Sequence, residues 1–198
     1  MHSEVNELKD FLIDKVKGRR FIIGIDGLSR SGKTTFTEEL EKRLETENIP
    51  FRTFHIDDHI VTRENRYDTG QEEWYEYYHL QWDVEGLRGK LFDKLKYASE
   101  VTLPFYDKGT DTHQFRTFSL PENCLLIIEG IFLQRKEWKH FFDYIVYLDC
   151  PREKRFLREK EEIRANISKF INRYWKAEEY YLDSEQPIKS ADMVVESN

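Results

Sequence analysis

The stretch Gly27-Leu28-Ser29-Arg30-Ser31-Gly32-Lys33-Thr34 fits the phosphate-loop pattern G-x-x-x-x-G-K-[ST]. The apolar run 21–26 precedes it and predicts a buried strand, and a helical pattern at 32–47 follows it. Strand, loop and helix in this order are the context that the pattern requires, and they disfavour a chance Gly/Ser turn. The stretch therefore predicts a site for a nucleoside triphosphate.

The residue types explain how this loop holds phosphate. Glycines let the backbone wrap around the anion, so that successive N–H groups and the N-terminus of the following helix face it. Lys33 adds a positive charge at the β/γ-phosphates, and the hydroxyl of Thr34 is suited to bind Mg²⁺. With ATP and Mg²⁺ as expected cofactors, the predicted nucleotide-binding residues are Gly27, Ser29, Arg30, Ser31, Gly32, Lys33, Thr34 and Thr35.

Strand and helix signals alternate on both sides of the loop, which indicates an α/β fold with a parallel sheet covered by helices. Further strands are predicted at 49–56, 124–129, 144–149 and 191–195, a hairpin at 101–106 and 115–120, and helical character at 72–97, broken near Trp82, and at 151–181. Both 124–129 and 144–149 are expected to be followed by a turn and a helix. We expect residues 1–198 to form a single domain, with 1–20 as a leading amphipathic helix.

Composition limits the partners of the chain. It has 198 residues, 35% of them charged, and a formal net charge of −7, which argues against nonspecific binding to nucleic acid or to an anionic membrane. No apolar run approaches the ~20 residues that a membrane span needs. Cys124 and Cys150 lie in or beside apolar runs without metal-ligand spacing, so we expect a reduced, cytoplasmic compartment and a small-molecule partner. The sequence leaves homo-oligomer formation open.

Carboxylates follow two of the predicted strands. Glu129 ends one strand and is a candidate Mg²⁺ ligand with Thr34, the alternative being a solvated acid at a strand end. Asp57 and Asp58 end another, where one of them could orient an attacking hydroxyl. The alternative for this pair is a turn or a helix cap, and it is the stronger interpretation for Asp58.

Three arginines, Arg152, Arg155 and Arg158, recur every three residues in the charged stretch near residue 151. This spacing places them loosely on one helical face, where they could close over a triphosphate and neutralise its charge. An interleaved set of glutamates allows the alternative of a solvated face.

Taken in order, these segments resemble the uridine kinase-like group of P-loop kinases, which includes nicotinamide riboside kinases and phosphoribulokinases. The resemblance implies a P-loop NTPase three-layer αβα sandwich with a five-stranded parallel sheet at its core. It also implies a catalytic role for Asp57, Lys33, Arg155 and Arg158, and a metal site at Thr34 and Glu129. The substrate-binding residues that it implies are Asp57, Trp82, Asp83, Tyr106, His113 and Arg155.

The function implied by the resemblance is a kinase that transfers the γ-phosphoryl group of ATP to a hydroxyl, in particular the 5′-hydroxyl of a nucleoside. Trp82 is then expected to stack on the base and Asp83 to hold the ribose hydroxyls; the alternative is that Trp82 is core and Asp83 caps a helix. Two other functions stay open: a kinase of a non-nucleoside alcohol, pantothenate- or glycerate-like, and a regulatory P-loop ATPase. Because the chain contains no N-K-x-D motif, a GTPase is disfavoured.

Overall fold

Five parallel strands form the central sheet of the computed structural model, which describes residues 2–197. Their order across the sheet is β2-β5-β1-β6-β7, so β1, which leads into the phosphate loop, occupies the middle. The strands of the described chain are β1 (Phe21–Gly27), β2 (Phe51–His55), β3 (Glu100–Asp107), β4 (Thr112–Ser119), β5 (Leu125–Glu129), β6 (Tyr144–Asp149) and β7 (Met193–Glu196). Strands β3 and β4 pair antiparallel as a separate hairpin.

Helices cover both faces of this sheet. They are α1 (His2–Lys15), α2 (Lys33–Thr46), α3 (Glu73–His79), α4 (Val84–Lys90), α5 (Arg152–Leu157), α6 (Glu161–Arg164), α7 (Ile167–Lys169), α8 (Lys176–Glu185) and α9 (Pro187–Ser190). A π-helical segment, Phe170–Trp175, joins α7 to α8. Short 3₁₀ turns occupy Ile56–His59, Arg63–Asn65, Phe92–Lys94 and Lys139–Phe141.

The side chains of the sheet alternate between two hydrophobic clusters, one on each face. In β5, Leu125 and Ile127 pack with α1 and α2, whereas Leu126 and Ile128 pack with α3, α4 and α8. Every residue of β1 is buried, as expected for a central parallel strand covered on both sides. These observations confirm the predicted α/β fold, with three layers and a five-stranded parallel sheet.

Some predicted elements differ in the structure. The helix expected after β5 is wrong: residues 131–143 contain only the 3₁₀ turn Lys139–Phe141. Two buried side chains account for this, because Arg135 donates to the Tyr78 carbonyl at 3.0 Å and Trp138 to the Val84 carbonyl at 3.1 Å. These tertiary contacts outweigh the local helical tendency of the segment.

Other boundaries also shift. The leading helix ends at Lys15 instead of residue 20, and Met1 lies outside the described residues. The helical stretch 151–181 is interrupted by turns between α5, α6 and α7. No helix within residues 2–197 is long and apolar enough to cross a bilayer.

Candidate active site

The phosphate loop connects β1 to α2, and its backbone requires glycine at two positions. Gly27 has φ +152°, and a Cβ there would lie 2.6 Å from Ser31 Oγ and 2.8 Å from the Leu148 carbonyl. Gly32 has φ +98° and is the N-cap of α2. The loop therefore closes tightly on the sheet and presents the N-terminus of α2 as an anion site.

A cavity of about 720 Å³ opens over this loop. Among the residues that border it are these from the predicted nucleotide-binding set: Ser29, Arg30, Gly32, Lys33, Thr34 and Thr35. Gly27 and Ser31 lie behind them and are buried. Lys33 Nζ donates to the Leu28 carbonyl at 3.1 Å, which holds the ammonium group against the loop. The cavity thus combines a cationic floor with a helix N-terminus.

Carboxylates from two neighbouring strands reach the same cavity. Asp57 follows β2 and Glu129 ends β5, and both border the cavity, whereas Asp58 is not among its lining residues. Asp57 is an exposed residue at the border of the cavity, yet the protein around its carboxyl partly excludes water. Burial therefore raises the pKa of its carboxyl; Lys33 opposes that rise, and Glu129 adds to it. Such a carboxylate is a stronger proton acceptor than an ordinary aspartate.

Glu129 has a partner that the sequence motifs did not reveal. His55 Nδ1 lies 2.7 Å from Glu129 Oε2, because the two residues are opposite each other in the parallel pairing of β2 and β5. This contact raises the pKa of His55 against the opposing effect of burial. The imidazole therefore orients the carboxylate at the edge of the sheet.

The oxygen ligands predicted for Mg²⁺ fit that ion. Thr34 and Glu129 border one cavity, and Glu129 Oε1 has no hydrogen bond in the described chain. Mg²⁺ usually takes one or two protein oxygens and completes its octahedron with phosphate and water. Residues 2–197 contain no group of three or more His, Cys, Asp or Glu that could hold a metal by itself. This donor set therefore suits a metal that arrives with a nucleotide.

The three arginines occupy different environments. Arg155 is 5% exposed and pairs with Glu178, a residue that the sequence analysis did not single out. Arg158 borders the cavity, and its Nη1 donates to the Arg30 carbonyl at 2.9 Å. Arg152 points to the surface and pairs with Glu179 at 2.8 Å. Arg155 also borders the cavity, but Arg158 has fewer hydrogen bonds to protein and so more N–H groups for a ligand there.

The residues predicted to bind the acceptor separate into two places. Asp57 borders the cavity over the phosphate loop, whereas Trp82, Asp83 and His113 line a second cavity of about 500 Å³. A wall of backbone separates the two cavities. Within this wall the Val61 N–H donates to the Gln81 carbonyl at 3.0 Å. The structure does not bring Asp83 or His113 together with Asp57.

The contacts of these side chains agree with their location. Trp82 is 2% exposed, and its indole N–H donates to the Ile56 carbonyl at 2.9 Å. Asp83 caps α4 by accepting from the Gly86 N–H at 2.9 Å. Tyr106 donates to Asp111 at 2.8 Å and accepts from Arg66 at 3.1 Å. The structure thus shows the core and capping contacts that the sequence offered as the alternative, and the ligand-binding roles stay predictions.

Other side chains, which the sequence analysis did not assign to the acceptor, lie on the same cavity as Asp57. Ile60, Tyr77, Gln81, Ile131 and Tyr174 border it. Tyr77 OH is 3.2 Å from Ser29 Oγ, so it also contacts the phosphate loop. Aromatic residues at mixed helical spacing predict a core, and only the fold shows that the Tyr77 ring is at a cavity wall.

Comparisons with known proteins point to one family. The family model for the phosphoribulokinase / uridine kinase family matches residues 22–196. A uridine kinase from Staphylococcus haemolyticus is 30% identical over 161 residues, which cover 77% of this chain and 75% of that enzyme.

Solved structures give the same result. A structure described as a possible uridine kinase from Bacillus stearothermophilus is similar at 53% identity, with a TM-score of 0.82 over 96% of this chain and 98% of the other. A putative fructose transport system kinase from Silicibacter has a TM-score of 0.77 over 96% and 98% of the two chains, at 18% identity, and shows the fold alone.

Proposed function

Since this chain belongs to the phosphoribulokinase / uridine kinase family and is a phosphotransferase with an alcohol group as acceptor, we propose that it transfers the γ-phosphoryl group of ATP to the 5′-hydroxyl of a nucleoside. One observation carries the proposal: Asp57, Lys33 and Glu129 border a single cavity over the phosphate loop. A proton acceptor, a cation for the phosphates and a metal ligand are the groups that such a transfer needs.

In the proposed reaction, loop N–H groups and Lys33 hold the β- and γ-phosphates in position. Asp57 accepts the proton of the acceptor hydroxyl, and the oxygen of that hydroxyl forms a bond to the γ-phosphorus. The bond from that phosphorus to the β–γ bridging oxygen breaks, and ADP is the leaving group. Arg158 adds positive charge at the mouth of the cavity. Mg²⁺, held by Thr34 and Glu129, would neutralise further phosphate charge.

A nucleoside acceptor is supported by the similarity to a uridine kinase and to a possible uridine kinase, and by the wall beside Asp57. Tyr77 and Tyr174 offer aromatic surface to a flat ring, and Gln81 offers an amide. The side-chain oxygen of Gln81 is buried and lacks a hydrogen-bond partner within the described chain. A base with amide-like edges would supply such a partner.

A second candidate, a non-nucleoside alcohol such as a glycerate- or pantothenate-like molecule, is favoured by a different observation. Asp83, expected to hold ribose hydroxyls, caps α4 and lines the other cavity. An acceptor without a vicinal diol has no need of that carboxylate. Both candidates share the phosphate loop and Asp57.

The test is an acceptor screen on purified protein that measures ADP release and identifies the phosphorylated product by ³¹P NMR. We expect the highest kcat/KM with a ribonucleoside such as uridine, and no transfer to its 5′-deoxy analogue. Turnover with glycerate or pantothenate and none with nucleosides would establish the second candidate. ATP hydrolysis that no acceptor accelerates would instead indicate a regulatory ATPase.

One variant separates the two acceptors further. If Asp83 holds a diol, Asp83→Ala raises KM for the ribonucleoside by about 10- to 100-fold, the equivalent of one charge-assisted hydrogen bond. The 2′-deoxynucleoside is then affected much less. If the acceptor lacks a diol, KM stays at the wild-type value for every active acceptor.

A further inference from the structure

The guanidinium of Arg155 is nearly saturated by protein. Its Nε donates to the Cys150 carbonyl at 3.0 Å, and Nη1 donates to the Ser29 carbonyl at 3.0 Å and to Glu178 Oε1 at 2.8 Å. Nη2 donates to Glu178 Oε2 at 3.0 Å. These four bonds occupy all but one of the five N–H groups of an arginine. Arg155 therefore has little capacity left for a phosphate.

Glu178 completes the arrangement from α8. Its side chain is 1% exposed and forms a bidentate ion pair with Arg155. Burial raises the pKa of Glu178, and the Arg155 guanidinium, which hydrogen-bonds its carboxylate, opposes the rise. Glu178 thus fixes the guanidinium group whose Nη1 donates to the Ser29 carbonyl.

Ser29 is a sensitive position in the phosphate loop. The next residue, Arg30, has φ +62°, a left-handed conformation that is unfavourable for a residue with a side chain. A loop strained in this way needs contacts that hold it. Arg155, held by Glu178, supplies one of them, and Tyr77 contacts the Ser29 hydroxyl.

We propose that Glu178 is a positioning residue for ATP binding: through Arg155 it holds the Ser29 carbonyl, and so keeps the phosphate loop in its nucleotide-binding shape. The inference rests on the proposed function, because ATP is the ligand for which the loop is held. Arg155 then acts through the loop, and Arg158 is the arginine that faces the triphosphate.

A purely structural ion pair would look similar, and the chain contains a matched example. Arg173 Nη1 donates to Glu76 Oε2 at 2.9 Å, and both side chains are as buried as those of Arg155 and Glu178. This pair joins α3 to the π-helical segment and has no contact with the phosphate loop. Glu76→Gln therefore reproduces the loss of a buried ion pair without the loss of the loop contact.

The experiment measures the dissociation constant for Mg·ATP by calorimetry without acceptor, so that it does not depend on which alcohol is phosphorylated. We expect Glu178→Gln to raise this constant by about 10- to 100-fold, as displacement of binding groups typically does. The KM for the acceptor should stay within about twofold, and Glu76→Gln should leave ATP affinity within the same range while lowering Tm.

A second variant separates positioning from stability. In Arg155→Met/Glu178→Leu the buried pair is replaced by apolar side chains, a change that often preserves or increases stability. We expect near-native Tm, weakened ATP binding and faster hydrogen exchange at the Ser29 and Arg30 amides. Wild-type ATP affinity in this folded double variant would overturn the positioning role while leaving the kinase proposal intact. A wild-type protein that binds no ATP would overturn both.

Discussion

Asp57→Asn tests the proton-accepting role with little change of shape. The structure shows no hydrogen bond from residues 2–197 to the Asp57 carboxylate, so the substitution breaks no protein hydrogen bond. Removing a general base lowers kcat by about 10²–10⁴-fold. Because phosphoryl transfer depends mainly on positioning and charge, we expect the lower part of this range, about 10²–10³, or about 2.7–4 kcal/mol in the barrier.

The environment of Asp57 also predicts that neither Tm nor ATP affinity decreases in the Asp57→Asn variant. Because burial raises the pKa of Asp57, and Glu129 and Asp58 add to the rise, its ionised form is less stable in the folded protein than in solution. For a raised carboxyl pKa, folding stability falls as pH rises through that pKa. The neutral amide of the Asp57→Asn variant lacks this penalty, so its Tm at neutral pH should equal or exceed that of the wild type. ATP binding should not weaken, since a negative charge beside the phosphates is removed.

Three measurements check this reasoning: kcat at saturating substrates, the dissociation constant for Mg·ATP, and Tm. Wild-type kcat should fall as pH is lowered through the raised pKa of Asp57, and the variant should lack that limb. Asp58→Asn is the matched control and should keep kcat within about twofold. A large loss in Asp58→Asn with none in Asp57→Asn would refute the assignment.

Other substitutions test the remaining parts of the site. Lys33→Ala should reduce turnover to background while keeping the far-UV circular dichroism spectrum, and near-normal transfer by the folded variant would contradict the kinase proposal. Excess chelator should abolish activity and added Mg²⁺ should restore it; full activity in chelator would refute the metal requirement. Asp83→Ala should lower Tm by about 2–4 °C through loss of the cap on Gly86. Asp83→Asn keeps the cap and is the control. Equal Tm values of the two variants would argue against the capping role. Glu129 raises the pKa of His55, so this pair stabilises the folded protein fully below about pH 6.5, and the stabilisation is lost as pH rises through the raised pKa. The Tm difference between wild type and His55→Gln should therefore shrink from pH 6 to 9. A constant difference would refute the pairing.

The parts of the site that the sequence predicts are local ones. The phosphate loop is a contiguous motif between a strand and a helix, and Asp57 and Glu129 each follow an apolar strand, so parallel pairing brings them to one edge. The end of an apolar strand can be recognised in a sequence, and so can its position along the chain relative to the phosphate loop. These features reach the cavity because the sheet is continuous and its strands are parallel.

The parts that the sequence does not predict depend on pairs that are distant along the chain. Glu178 lies among other charged residues of α8, and no local pattern distinguishes it from its surface neighbour Glu179. Trp82 and Gln81 are adjacent, yet they line different cavities. Gln81 shares a cavity with Asp57 and Trp82 does not, because both residues are part of the wall formed with Ile60 and Val61.

The β5 side chains alternate between two clusters, so the helices on the two sides of the sheet form two layers. These layers differ in how far they tolerate substitutions. One layer, α1 and α2 against the sheet, supports the start of the phosphate-binding helix. The other layer carries α3, α4 and α8, which supply Tyr77, Asp83 and Glu178. Apart from Tyr77 and Glu178, which hold Ser29 of the phosphate loop directly or through Arg155, residues of this second layer can change the acceptor pocket without repacking the helix that binds ATP. Divergence to new alcohols, or directed evolution toward them, therefore needs changes on only one side of the sheet.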